Sequence, residues 1–245
     1  GLSFLVQSDV PEGKGVSSSA AVEVSAMTAV AAAYGITLAP RDLAILCQMV
    51  ENLIVGAPCG VMDQMTSVCG RTSELMSMVC RPAEVKGSVP IPKGARFWGI
   101  DSGIRHSVGG ADYGSVRVGA FIGRKILHAH AECNPSPKAD DAASSLSVDA
   151  VPPPPPAHSV SRAPLNGFYL AMLPPSEFAR FHAPVLPARL KGAEFLASHP
   201  EGHGDAITTI DPETEYAVAN PTAHPVHEAS RVGGFEQMMR APESE

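Results

Sequence analysis

The sequence predicts a mixed fold in which helices and strands share one chain. Three observations carry this. An apolar run, Leu2 to Val10, passes through a glycine loop into an alanine-rich segment, the order strand, loop, helix. Apolar residues then recur at helical spacing between Pro40 and Val55. Beyond them, Leu75–Cys80 and Arg96–Asp101 have strand character.

The loop is Pro11-Glu12-Gly13-Lys14-Gly15-Val16-Ser17-Ser18-Ser19-Ala20-Ala21. Its glycines allow tight turning and close approach to a ligand. The helix start that follows offers unpaired N–H groups to an anion. Ser17, Ser18 and Ser19 add hydroxyls, and Lys14 adds a positive charge. A single serine would suffice to cap a helix, so the surplus points to phosphate. Gly15 follows Lys14 where a Walker A loop needs Ser or Thr, so this loop belongs to another phosphate-binding type.

Composition narrows the classes further. The chain has 245 residues, 44% of them hydrophobic, enough for one large or two modest domains. A net charge of -7 invites neither nucleic acid nor an acidic lipid surface. Apolar segments are too short or interrupted to span a bilayer. Five cysteines, an odd number without CxxC spacing, suggest reduced thiols in a cytoplasmic protein. The chain opens at Gly1 in what reads as a core strand and stops soon after a helical pattern, and we expect a piece of a longer protein.

Ser17 to Tyr34 should be a slim, high-propensity helix ended by Gly35. Pro40 suits the start of the second helix, with Leu43, Leu46, Cys47, Val50 and Ile54 on one face. Glu51 borders that face; it either turns to solvent or has a partner, because a desolvated carboxylate is costly alone. Gly56, Pro58 and Gly60 mark a tight loop before Asp63, which is either a helix cap or a catalytic acid. Arg105, His106 and Ser107 precede a helix expected from Asp112-Tyr113 to about His130.

From residue 131 to 164, prolines among Ala, Ser and Asp predict a disordered or polyproline-II insertion. A strand at Gly167–Leu173 follows, then helices at 174–182 and 187–199. Short extended pieces are expected at 207–210 and 216–218, and a last helix at 221–239. Neither His128 with His130 nor His199 with His203 has a zinc-site context.

Together these residues resemble the GHMP sugar kinases, in their galactokinase and arabinokinase branch. The resemblance rests on the loop above and on Glu51 with Gly56-Ala57-Pro58-Cys59-Gly60-Val61-Met62-Asp63-Gln64. It rests also on Ile104-Arg105-His106-Ser107 with Asp112-Tyr113, on Phe97-Trp98-Gly99-Ile100-Asp101-Ser102-Gly103, and on Pro221-Thr222-Ala223-His224-Pro225. The implied fold is α+β, a two-lobe GHMP-kinase fold with a ribosomal protein S5 domain 2-like N-lobe and the beginning of a ferredoxin-like C-lobe. Residues 1–130 would form the ATP-binding lobe, 131–164 the insertion and 165–245 the start of the second lobe.

The resemblance also implies roles. Gly13, Lys14, Gly15, Val16, Ser17, Ser18 and Ser19 would lie over the nucleotide phosphates, Ser17 and Glu51 would hold Mg²⁺, and Asp63 would be the catalytic base. Gly60, Asp63 and Tyr113 would line the sugar pocket. Substrates would be ATP and a monosaccharide phosphorylated at its anomeric hydroxyl, L-arabinose first and galactose as the alternative. A helix start contributes only ~0.3–1 kcal/mol to anion binding, too little for a triphosphate, so a cation is required. A carboxylate taking the hydroxyl proton contributes roughly 10²–10⁴-fold. The family's N-terminal and C-terminal motifs would lie outside residues 1–245, so this stretch alone is expected to bind poorly and not to turn over. A catalytically silent sugar sensor is the alternative from another class, and a mevalonate or homoserine kinase a third.

Overall fold

The computed structural model describes residues 1–81, 83–104, 111–133 and 169–241. The expected insertion from 134 onward, Arg105-His106-Ser107 and the first residues of the strand expected at 167–173 lie outside them. The chain forms two compact units, Gly1–Gly114 with Val232–Glu245, and Ser115–Arg231.

In the first unit, helices α1 (Ser18–Ala33), α2 (Pro40–Val50) and α3 (Met62–Cys69) each touch the other two. The small side chains of α1 allow this, with Ala20 fully buried and Ala31 nearly so. Gly35 ends α1 as expected: it lies at φ 65°, and Ile36 N–H returns to Ala31 O at 2.8 Å. Pro40 opens α2, and a π turn, Glu51–Val55, closes it at Gly56 with φ 79°.

The buried edge of α2 is Leu43, Ala44, Cys47 and Glu51, while Leu46, Val50 and Ile54 are exposed. The expected apolar face is therefore narrower and turned toward Ala44. That alanine, with Val61, Met65 and Ala83, makes a small core whose tight contacts a leucine would not fit.

Strand β1 (Glu74–Val79) was expected, and it pairs antiparallel with β2 (Glu84–Pro90), which was not. β2 reads poorly because Lys86-Gly87-Ser88 interrupts its apolar alternation. Two further expectations are corrected. Residues 1–9 and 96–101 are not strands but irregular and exposed, Leu5 by 95% and Ile100 by 92%. A strand requires a partner for its N–H and C=O groups, and no described segment pairs with either.

The second unit packs residues of α4 (Ala111–Cys133) and α7 (Ala219–Arg240) around Val118, Ile122, Leu127, Phe178, Phe195, Tyr216, Val218 and Val226. Glycines set the closest approaches. A Cβ on Gly119 would lie 2.0 Å from Ala217 O, and one on Gly123 1.8 Å from Thr222 Oγ1.

In the same unit, α5 (Pro175–Glu177) runs into a π turn at Phe178–His182. The expected strand at 167–173 is instead a 3-10 turn, Leu170–Met172, in its described part. The helix expected from 187 begins late, because β3 (Arg189–Lys191) pairs antiparallel with β4 (Glu215–Ala217) before α6 (Gly192–Ser198) starts. Helices mixed with small antiparallel sheets are consistent with an α+β class.

Candidate functional site

Left-handed backbone recurs through the glycine loop: Gly13 has φ 67°, Gly15 φ 68° and Ser17 φ 62°. Two of the three positions carry glycine, for which the region is free of strain. Ser17 carries a side chain there, at a cost of roughly 1–2 kcal/mol. Its carbonyl accepts the first helical bond, from Ala21 N–H at 3.1 Å, yet its hydroxyl caps nothing. Among the described residues the side chains of Ser18 and Ser19 likewise have no hydrogen-bond partner. A simple capped turn is therefore not what these serines form.

Lys14 Nζ meets Asp101 Oδ2 at 2.6 Å. The Lys14 ammonium, and then the Gly103 N–H, hold the Asp101 carboxyl below its ordinary range.

Glu51 does not turn to solvent. It is 6% exposed, and its Oε2 accepts Gln64 Nε2 at 2.7 Å and the Cys59 thiol at 3.4 Å. The same Gln64 nitrogen donates to Glu23 Oε2 at 3.1 Å. Gln64 is 1% exposed, so one buried amide of α3 joins a carboxylate of α1 to one at the end of α2. Burial outweighs the Gln64 bond and, with the charge and hydrogen bonding of Glu51, leaves the Glu23 carboxyl above its ordinary range. Burial and the adjoining Glu51 push the Cys59 thiol up to about 12, so it stays protonated and donates.

The loop between Gly56 and Gly60 is clamped onto α2. Asn52 Oδ1 accepts the Cys59 N–H at 2.9 Å, and Gln48 Nε2 donates to Cys59 O at 3.2 Å. This sets where α3 begins, and hence where Asp63 stands on its first turn. Asp63 is half-buried, and its carboxylate accepts no hydrogen bond among the described residues. It does not cap α3, whose N-cap is Val61. Gly60 is exposed with open space beside it, and Tyr113 is 41% exposed near the start of α4.

Among the described residues, no hydrogen bond joins the glycine loop to Glu51 or Asp63. The link runs through α1, which begins at the loop and carries Glu23. Nor do three His, Cys, Asp or Glu side chains among them converge on a metal position. The donors nonetheless suit Mg²⁺ in kind. That ion takes hard oxygens, commonly one or two carboxylates with phosphate oxygens completing the shell. Glu51 and Glu23, paired on one amide, are such carboxylates.

Sequence reasoning missed Glu23, Gln64 as a hub, the Gln48–Asn52 clamp and the Asp101 partner of Lys14. A signal existed for Glu23, the one charged residue in α1.

Comparison with known proteins gives these positions a context. Residues 1–71 match the GHMP kinases N terminal domain. The chain is 50% identical to L-arabinokinase of Arabidopsis thaliana over 248 residues, covering all of this chain and 23% of that protein. It is 38% identical to a galactokinase of Chloroflexus aggregans over 127 residues, 52% of this chain and 32% of that one. A galactokinase of Streptomyces lividans is 37% identical over 130 residues, again 52% of this chain and 32% of the relative. The chain thus spans 23% to 32% of the length of these relatives. No solved structure matches. The resemblance to GHMP kinases carried by the motifs is borne out.

Proposed function

We propose that this chain supplies the phosphate loop, the cation-holding acid and the base of an ATP-dependent sugar 1-kinase, with L-arabinose as acceptor. The observation that carries the reading is the buried amide of Gln64. It ties α1, which starts at the phosphate loop, to Glu51 and to the turn of α3 that presents Asp63. Identity to L-arabinokinase over the whole chain, against galactokinases over half of it, favours arabinose.

In this reading the loop N–H groups, the serine hydroxyls and Lys14 take the phosphate oxygens of ATP. Glu51, with Ser17, holds Mg²⁺, which would supply charge neutralisation of the phosphates and of the transferring group. Asp63 accepts the proton of the anomeric hydroxyl as its oxygen bonds to the γ-phosphorus. The bond from that phosphorus to the bridging oxygen breaks, and ADP leaves. A half-buried carboxylate without hydrogen-bond partners is suited to receive that proton. No described helix is long and apolar enough to cross a membrane.

The test is ATP-dependent phosphorylation by the full-length protein across a panel of monosaccharides. Formation of L-arabinose 1-phosphate with a kcat/KM above that for galactose is expected. A preference for galactose overturns the acceptor, and sugar binding without any transfer overturns the kinase reading in favour of a sensor.

A further inference from the structure

Gln64 is an unusual residue to bury among three helices. It is 1% exposed, and its amide nitrogen donates to Glu51 Oε2 and Glu23 Oε2, at 2.7 and 3.1 Å. Its carbonyl oxygen, equally buried, has no partner. Turning the amide over would aim that oxygen at two carboxylates, so the carboxylates dictate the orientation. If the position served packing alone, an apolar side chain of the same length would fill it without an orphaned acceptor, which costs about 1–3 kcal/mol.

The donors also converge selectively. The Gln64 amide and the Cys59 thiol both reach Oε2 of Glu51. Two donors meeting on one oxygen fix the plane in which this carboxylate lies. Groups that orient a metal ligand in this way commonly matter almost as much as the ligand itself.

We infer that Gln64, assisted by Cys59, is a positioning residue that orients the Glu51 carboxylate toward the divalent cation of a bound nucleotide. The inference rests on the reading of Glu51 as the acid that holds that cation. Gln64 itself touches neither substrate nor metal. It joins the three helices so that the loop, the acid and the turn carrying Asp63 keep one geometry.

The experiment uses the full-length protein and measures the Kd of ATP by calorimetry with and without Mg²⁺, beside the thermal midpoint of each variant. Gln64→Met should reduce the Mg²⁺-dependent gain in ATP affinity by about 10- to 100-fold, a larger loss than it causes in metal-free ATP binding. Gln64→Glu, which sets a third carboxylate against the pair, should lose the gain as well. A lowered midpoint with the Mg²⁺-dependent gain intact in Gln64→Met makes the residue structural only and overturns the inference. Should that variant not fold, Cys59→Ala removes the other donor to the same oxygen; an unchanged gain there also overturns it. Glu51→Gln separates the two levels. If it keeps the gain, the reading of Glu51 fails; if it loses the gain while Gln64→Met does not, only the positioning role fails.

Discussion

Lys14, between Gly13 and Gly15 of the glycine loop, is paired with Asp101, 87 residues further along, at 2.6 Å. Both side chains are well exposed, so the pair adds little to stability. Under the proposed function its consequence is for ligands, because nucleotide phosphates would compete with a carboxylate for the same ammonium.

Asp101→Asn should therefore tighten ATP binding by about two- to fivefold while leaving the thermal midpoint where it was. The gain should shrink as salt is added, since exposed charges are screened. Titration of ATP at two ionic strengths checks it, and a weaker affinity in the variant would mean that Asp101 helps to shape the loop.

Replacing Asp63 by Ala in the full-length protein should lower kcat by roughly 10²–10⁴-fold with ATP affinity retained. Single-turnover measurements with saturating ATP read this directly. Activity near wild type would remove Asp63 as the base.

The second unit has its own part-buried ion pair. Asp205 is 5% exposed and takes Arg117 Nε at 2.7 Å and Nη2 at 2.9 Å, with Thr208 Oγ1 also at 2.7 Å. Arg117→Ala leaves that carboxylate buried without its cation, and should cost about 3–5 kcal/mol in chemical denaturation. A loss below about 1 kcal/mol, the scale of an exposed pair, would contradict it.

The same network sets an acid response. Burial opposes ionisation of Asp205, but hydrogen bonds from Arg117 and Thr208, the Arg117 charge and the Ile207 N–H outweigh it and hold the carboxyl at about 2. The unfolded value is near 3.9. A depressed folded value means that the unfolded chain binds protons first, so this stability is complete above about pH 4 and is lost as pH falls toward 2. Burial likewise depresses His203, whose Nδ1 accepts the Asp205 N–H at 3.1 Å. Its contribution is present above about pH 6.5 and declines below it. Denaturation midpoints measured from pH 7 to 2 should fall in both ranges, and Asp205→Asn should flatten the lower one.

Two glycines of α4 should respond in opposite directions. Gly119→Ala drives a methyl group into Ala217 O and should destabilise by about 1–3 kcal/mol. Gly114→Ala meets nothing within 4 Å and should stabilise by about 0.5–1 kcal/mol through helix propensity. Thermal melts of the two single variants are sufficient.

Local chemistry was legible in the chain wherever a few adjacent residues decide it. The glycine–serine loop, the alanine helix closed at Gly35, Pro40 opening α2 and the strand at 74–79 follow from backbone preferences that neighbours hardly change. The motifs around Glu51 and Asp63 were legible too, since their residues, order and spacing together carry the likeness to sugar kinases. The apolar runs at 1–9 and 96–101 misled because a strand is a property of two segments, and pairing is not written in either one.

By itself, then, the sequence determined where the candidate residues stand: a glycine–serine loop before a helix, one acid beside an apolar helix face and one acid after a tight turn. Only the tertiary structure decided that Glu51 is buried and that Glu23 stands beside it. It also decided that Lys14 has a carboxylate partner 87 positions away. The reason is that burial and hydrogen bonding depend on which helices meet. In this chain the alanines of α1 and Ala44 of α2 let three helices close around a single amide, that of Gln64.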